Sequence, residues 1–226
     1  YGDASSWLKG DQWDTVMNYD AFMEPVSWFL TGLEKHSDRF ESHLFRNSQA
    51  FMSTMLYKMS RMQTPSMMAA MNELSNHDHS RFLTRTNLKV GRLHTAGAAA
   101  ASEEINYGIF RSAVVIQMTW PGAPTIYYGD EAGVCGWTDP PTRRTFPWGK
   151  ENYELTEFHR YLAGIRNQNR AFRTGAFKWL MAENGVIAYG RFNETQRGVV
   201  VVNSESYAQK IRVPVWEAEV AGDVMV

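Results

Sequence analysis

The apolar positions along this chain fall into two regimes that meet near Gly175. Before it, strand-length apolar runs alternate with stretches at helical spacing. Residues 13–18, Trp-Asp-Thr-Val-Met-Asn, lie between Gly10-Asp11 and Asp20 and predict a buried strand. A helix follows over 21–33 with Phe22, Val26, Phe29 and Leu33 on one face. A longer one spans 42–62, where Phe51, Met55, Met59 and Met62 recur at i, i+4, i+8 and i+11. Methionines at that spacing fit a core better than a ligand stripe. Pro65 breaks the pattern and residues 67–74 predict a second strand, closed by Asn76-His77-Asp78 and a polar loop from His79. Residues 101–120 predict a helix with Ile105, Ile109 and Ala113 four apart, Glu103 and Glu104 suiting its first turn. A third strand over 124–128, a Gly/Pro-rich loop over 133–148 and a helix over 153–167 complete the series. Three strand-then-helix units in succession imply a parallel sheet covered by helices.

Past Gly175 the period becomes alternating. Residues 177–180, 186–192, 198–203 and 210–215 are strand candidates separated by turn-forming residues such as Glu183-Asn184-Gly185. The expected division is therefore 1–173 for the α/β part and 174–226 for an antiparallel β-rich part with too few strands for a finished sandwich.

Composition narrows the function classes. At 226 residues with 44% hydrophobic and 21% charged residues, the chain has ample material for a packed core. A net charge of -1 and the lack of a dense Lys/Arg run argue against nucleic acid or an anionic membrane as partner. No apolar stretch approaches the roughly 18 residues of a membrane helix. The single Cys135 forms no internal disulfide, which favours the cytoplasm without excluding secretion. Tyr1-Gly2-Asp3 is neither an initiator Met nor a signal peptide, and 221–226 ends in an apolar stretch, so both ends read as interior to a longer protein.

The candidate chemistry sits where strands end. A carboxylate beside an imidazole, Asp78 beside His77, at the end of a buried strand suits the mouth of an α/β barrel, although an Asp there also caps turns, and these residues alone fit both readings. Asp139 and Arg143 fit either a sugar-binding pair or a loop salt bridge. Of Tyr127 and Tyr128, alternation places one in the core. Trp13, Trp137 and Trp148 are each core or stacking residues. His43, His79, His94 and His159 show no metal-ligand spacing, so no cofactor is expected of these residues.

Three stretches change the picture together: Trp7-Leu8 with residues 10–19, Asn76-His77-Asp78, and residues 122–131 continuing to Asp139-Pro140-Pro141-Thr142-Arg143. In this order they resemble the α-amylase family, glycoside hydrolase family 13, and within it the neopullulanase and cyclomaltodextrinase group. The resemblance implies an α/β chain forming the C-terminal part of a (β/α)8 TIM barrel, about strands six to eight, followed by an incomplete all-β sandwich. It implies a retaining glycoside hydrolase acting on α-1,4 and α-1,6 bonds of maltodextrin-type glucans. The nucleophile Asp and acid/base Glu would precede Tyr1, leaving this chain inactive alone, and calcium dependence would rest with those preceding residues. By resemblance Asp78 is the catalytic carboxylate that stabilises the transition state, while His77, Asp139 and Arg143 bind substrate. Asp130 and Glu131 would support the barrel rim. Pro141 and Arg144 depart from the commoner form of this loop. Half a barrel exposes sheet edges, so a dimer or strand-exchanged assembly is expected. A non-catalytic carbohydrate-binding homologue of the same fold is the alternative.

Overall fold

The computed structural model describes residues 4–220; the expectations for Tyr1-Gly2-Asp3 and for 221–226 lie outside the described residues. Three parallel positions come first. Met71–Glu73 forms β1 and Ala123–Thr125 forms β2, paired in parallel with Met71 opposite Ala123. Met17 bridges Met71 in parallel on the other side, so sequence order is spatial order. Chain between these positions runs through helices. A π-helical turn, Tyr19–Met23, leads into α1, Glu24–Thr31, then α2, Ser48–Ser60, and α3, Thr64–Ala69. After β1 come α4, Phe82–Arg85, α5, Leu93–Ala96, and α6, Tyr107–Thr119; after β2 comes α7, Tyr153–Gln168.

Side chains reinforce these three-residue strands. Asn18 Nδ2 donates to Asn72 Oδ1 at 2.8 Å, and Asn72 Nδ2 donates to the Pro121 carbonyl at 2.9 Å. Gln117 Nε2 from α6 donates to the carbonyls of Asn72 and Thr125 at 3.0 and 2.9 Å. Gly122 permits this closeness: a Cβ there would stand 2.4 Å from Asn72 Nδ2, and its φ of +128° suits glycine.

The short helix α8, Arg170–Thr174, precedes an antiparallel sheet of β3, Ala176–Glu183, β4, Val186–Phe192, and β5, Arg197–Asn203, in that order. Trp120, at the end of α6, packs edge-on against Phe177 and Tyr189 at centroid distances of 4.7 and 5.1 Å, and Phe51 of α2 meets Trp179 at 6.1 Å. These rings place the sheet in one apolar core with the helices.

Several expected elements are shorter or displaced. The strand expected over 13–18 is a single bridge at Met17, with Trp13 exposed. The helix expected over 42–62 begins at Ser48, where Asn47 Oδ1 accepts the Ala50 N–H at 3.0 Å. Residues 67–69 are helical because Pro65 occupies the first turn of α3, a position proline favours, so β1 starts only at Met71. Glu103 and Glu104 lie outside α6, whose start is set by Asn106 Oδ1 accepting the Ile109 N–H at 3.0 Å. The segment expected as a polar loop after His79 buries His79, Phe82 and Leu83 completely. Residues 210–215 form no strand; Ile211 and Val213 pack on Met181, Val186 and Ala188 without a ladder, and a 3-10 turn, Val215–Ala218, follows.

Candidate active site

The C-terminal end of β1 carries the corner predicted to hold the chemistry. Asn76 Oδ1 accepts the backbone N–H groups of Asp78 and His79 at 2.9 and 3.0 Å, an Asx turn that throws Asp78 outward. The Asp78 side chain is 49% exposed, with His77 Nε2 3.4 Å away and Arg143 Nη2 4.0 Å away. Arg143 Nε donates to Asp139 Oδ1 at 2.5 Å. Four residues singled out from sequence thus converge: Asp78 and His77 from one loop, Asp139 and Arg143 from another. The hydrogen bond from Arg143 to Asp139 holds its guanidinium above the usual range.

A residue that sequence reading passed over holds the two loops together. Arg81 is fully buried, and its Nε donates to the Thr142 carbonyl at 3.0 Å while Nη1 reaches the Tyr128 carbonyl at 2.6 Å and Asp130 Oδ1 at 3.0 Å. Thr142 Oγ1 in turn donates to the Asn76 carbonyl at 2.9 Å. The guanidinium lies 4.0 Å from the Tyr127 ring centroid and 5.0 Å from that of Tyr128. Arg81 therefore anchors the 139–143 segment beside Asp78. The Phe82-Leu83 pair directly after it was the available signal that this stretch is buried.

Tyr127 and Tyr128 correct the alternation argument. Strand β2 ends at Thr125, so neither ring is core; Tyr127 is half-buried, and Tyr128 is 40% exposed with its hydroxyl donating to the Arg144 carbonyl at 2.7 Å. Asp130 is buried against Arg81, and Glu131 Oε2 accepts the Gly129 N–H at 2.9 Å, a contact within its own turn. Trp137 is core, whereas Trp148 is 81% exposed and leans on Phe146 at 4.5 Å. Trp13 stacks on Trp7 at 5.4 Å, both exposed.

The loop after α1 gathers Glu34, His36 and Asp38, whose ligand atoms lie within 4.8 Å of one another. Their atoms are already committed. Asp38 grips Arg92 through both oxygens, at 2.6 and 2.5 Å, and Glu34 accepts the His36 N–H at 2.9 Å, the Asp38 N–H at 2.6 Å and His36 Nδ1 at 3.0 Å. Burial works against the Glu34 carboxylate, but these hydrogen bonds carry it down to about 2. Two cavities lie away from Asp78. One of about 300 Å³ flanks Val16, Met17 and Asn18; the other, about 570 Å³, lies between the start of α2 and the Asn184-Gly185 turn.

Comparison with known proteins decides the family. The model of the α-amylase catalytic domain matches residues 2–222. The chain belongs to the α-amylase catalytic-domain family. It is 36% identical over 191 residues to an amylopullulanase of Thermoanaerobacterium thermosulfurigenes, covering 84% of this chain and 10% of that protein. It is 35% identical over 220 residues to neopullulanase 2 of Thermoactinomyces vulgaris, covering 96% of this chain and 33% of that protein. The debranching enzyme of Nostoc punctiforme superposes with a TM-score of 0.78 at 26% identity, covering 97% of this chain and 43% of that one. The chain thus spans a tenth to a third of these two curated relatives. The α-amylase-family fold accounts for the parallel strand order and for the antiparallel sheet that follows it. No helix among the described residues is long and apolar enough to cross a membrane.

Proposed function

We propose that this chain supplies the third carboxylate and part of the sugar-binding rim of a retaining glycoside hydrolase acting on α-1,4 and α-1,6 bonds of maltodextrin-type glucans. The reading is carried by Asp78 standing at the C-terminal end of the middle of three parallel positions, beside the Asp139–Arg143 pair. That end of a barrel is where loops converge on substrate. A retaining mechanism needs two carboxyls about 5 Å apart, one nucleophile and one acid/base, which this reading assigns to strands preceding Tyr1. Asp78 then holds ring hydroxyls beside the reacting carbon and offers a fixed negative charge to the oxocarbenium-like transition state. His77 donates to the same sugar. Asp139 accepts hydroxyls of a neighbouring glucose unit while Arg143 donates from a fork. Met17, bridged to Met71 on one side and 37% exposed, is where the preceding strands, or a second copy, would pair.

Assay of the 226-residue chain on maltodextrin, pullulan and cyclodextrin should show no turnover, while a longer protein carrying the preceding strands should cleave them. Turnover by the 226-residue chain would overturn its assignment as a partial site. A longer protein that binds α-glucans without cleaving them would replace the hydrolase with a carbohydrate-binding homologue.

A further inference from the structure

Glu73 stands on β1 five residues before Asp78, and the chemistry proposed above makes no use of it. The residue is 3% exposed, and its Oε1 accepts a hydrogen bond from Asn76 Nδ2 at 3.3 Å. The other end of that amide, Asn76 Oδ1, is what holds the N–H groups of Asp78 and His79. An amide engaged at both ends cannot turn over without breaking all three hydrogen bonds, because its two ends differ in polarity. Remove the acceptor at Glu73, and only the turn itself selects the orientation.

The charged surroundings are asymmetric. Asp78, on the loop that follows β1, and Asp130, on the segment after β2, both act on Glu73 as like charges, and Asp130 is offset by Arg81 at 3.0 Å. His77 and Arg143 lie against Asp78, at 3.4 and 4.0 Å. The π-helical turn packed on β1 brings Tyr19 and Asp20, the latter 3.7 Å from Lys58. Burial pushes the Glu73 carboxyl up to about 7; Asp130 and Asp78 add to the rise and the Asn76 hydrogen bond opposes it. A buried carboxyl is costly unless it is hydrogen-bonded, and Asn76 supplies such a bond to Glu73.

We propose that Glu73 is a positioning residue for Asp78, locking the Asn76 side-chain amide in the orientation that presents Asp78 to the substrate. This rests on the reading of Asp78 given above.

The test compares Glu73→Met, which has no acceptor, with Glu73→Gln, which keeps one and does not titrate. In the 226-residue chain, amide exchange of Asp78 and His79 followed by NMR should quicken roughly tenfold in Glu73→Met, the effect of one lost hydrogen bond, and stay near the parent rate in Glu73→Gln. Resonances of the Asn76 side-chain amide and the Asp78 and His79 N–H groups should move together with a midpoint near 7 in the unaltered chain and be flat in Glu73→Gln. Should Glu73→Met not fold, that titration decides alone. Unchanged exchange in Glu73→Met, or a midpoint that survives Glu73→Gln and vanishes in His77→Gln, overturns the proposal. In the longer protein, kcat should fall roughly tenfold in Glu73→Met with KM within about twofold, and recover in Glu73→Gln; unaltered kcat beside faster exchange also overturns it. Failure of the hydrolase reading shows differently, as no cleavage by the unaltered longer protein whatever the exchange rates.

Discussion

The two sheets of this molecule are held by different means. In the antiparallel sheet, β4 is paired with β3 and β5 along its whole length, Val186 to Phe192, and the backbone ladder does the work. The parallel strands run for three residues, and buried side chains close what the ladder leaves open. Asn72, Gln117, Arg81, Arg85 and Arg166 all donate to carbonyls there; Arg166 alone reaches those of Met118, Phe172 and Gly122, at 2.9, 2.8 and 2.6 Å. Burial lowers Arg85 to about 10. A ladder of backbone bonds tolerates most substitutions, whereas a network of buried donors fails when one member is removed. The candidate site is built on the second kind of structure, which fixes its side chains closely and makes them vulnerable.

The sharpest break in this comparison is chemical. In the longer protein, Asp78→Asn should lower kcat about a thousandfold while urea unfolding stays within experimental scatter of the parent, since Asp78 lies on the open face. Next, Arg81→Met leaves Asp130 buried and uncompensated and should cost about 3 to 5 kcal/mol in urea unfolding. A loss below about 1 kcal/mol would place the network on the same footing as the ladder. Glu73 supplies a pH test with a definite sign. Burial raises its folded-state value above the unfolded one, so its protonated form contributes stability in full below about pH 4.5, and that contribution fades as pH rises through 7. The loss is on the order of 3 kcal/mol, and the corresponding slope should disappear in Glu73→Gln. On the antiparallel side, Tyr189→Phe removes a 2.6 Å hydrogen bond to Thr119 and should cost about 1 kcal/mol by the same measurement. Arg143→Ala, at an exposed pair, should leave Tm unchanged and raise KM in the longer protein about tenfold.

Legibility from sequence followed the same divide. β3, β4 and β5 were readable because alternation and the Asn184-Gly185 turn are local signals. Residues 210–215 kept the alternation, with Ile211 and Val213 packed inward, yet made no ladder, since alternation reports which side faces the core and not whether a neighbour pairs. Asp78, His77, Asp139 and Arg143 were legible as motif residues, and the structure brings them together. Arg81 and Glu73 were not legible as partners, because what they serve lies far away in sequence or on a side-chain amide. Arg81 reaches a carbonyl 61 residues on, a contact with no local periodicity. Helix starts slipped for a simpler reason: Asn47 and Asn106 outweighed apolar spacing as boundary signals, and Pro65 opens a helix, α2 having already ended at Ser60.

Trp120 sits at the seam between the helices and the antiparallel sheet. Its ring meets Phe177 and Tyr189 from one side of residue 175 and Phe51 from the other. Splitting the chain at that seam would therefore strip solvent protection from an indole that both halves share. Trp179 of β3 stands 5.5 Å from it, so the two indoles form one ring cluster to which each half contributes a member.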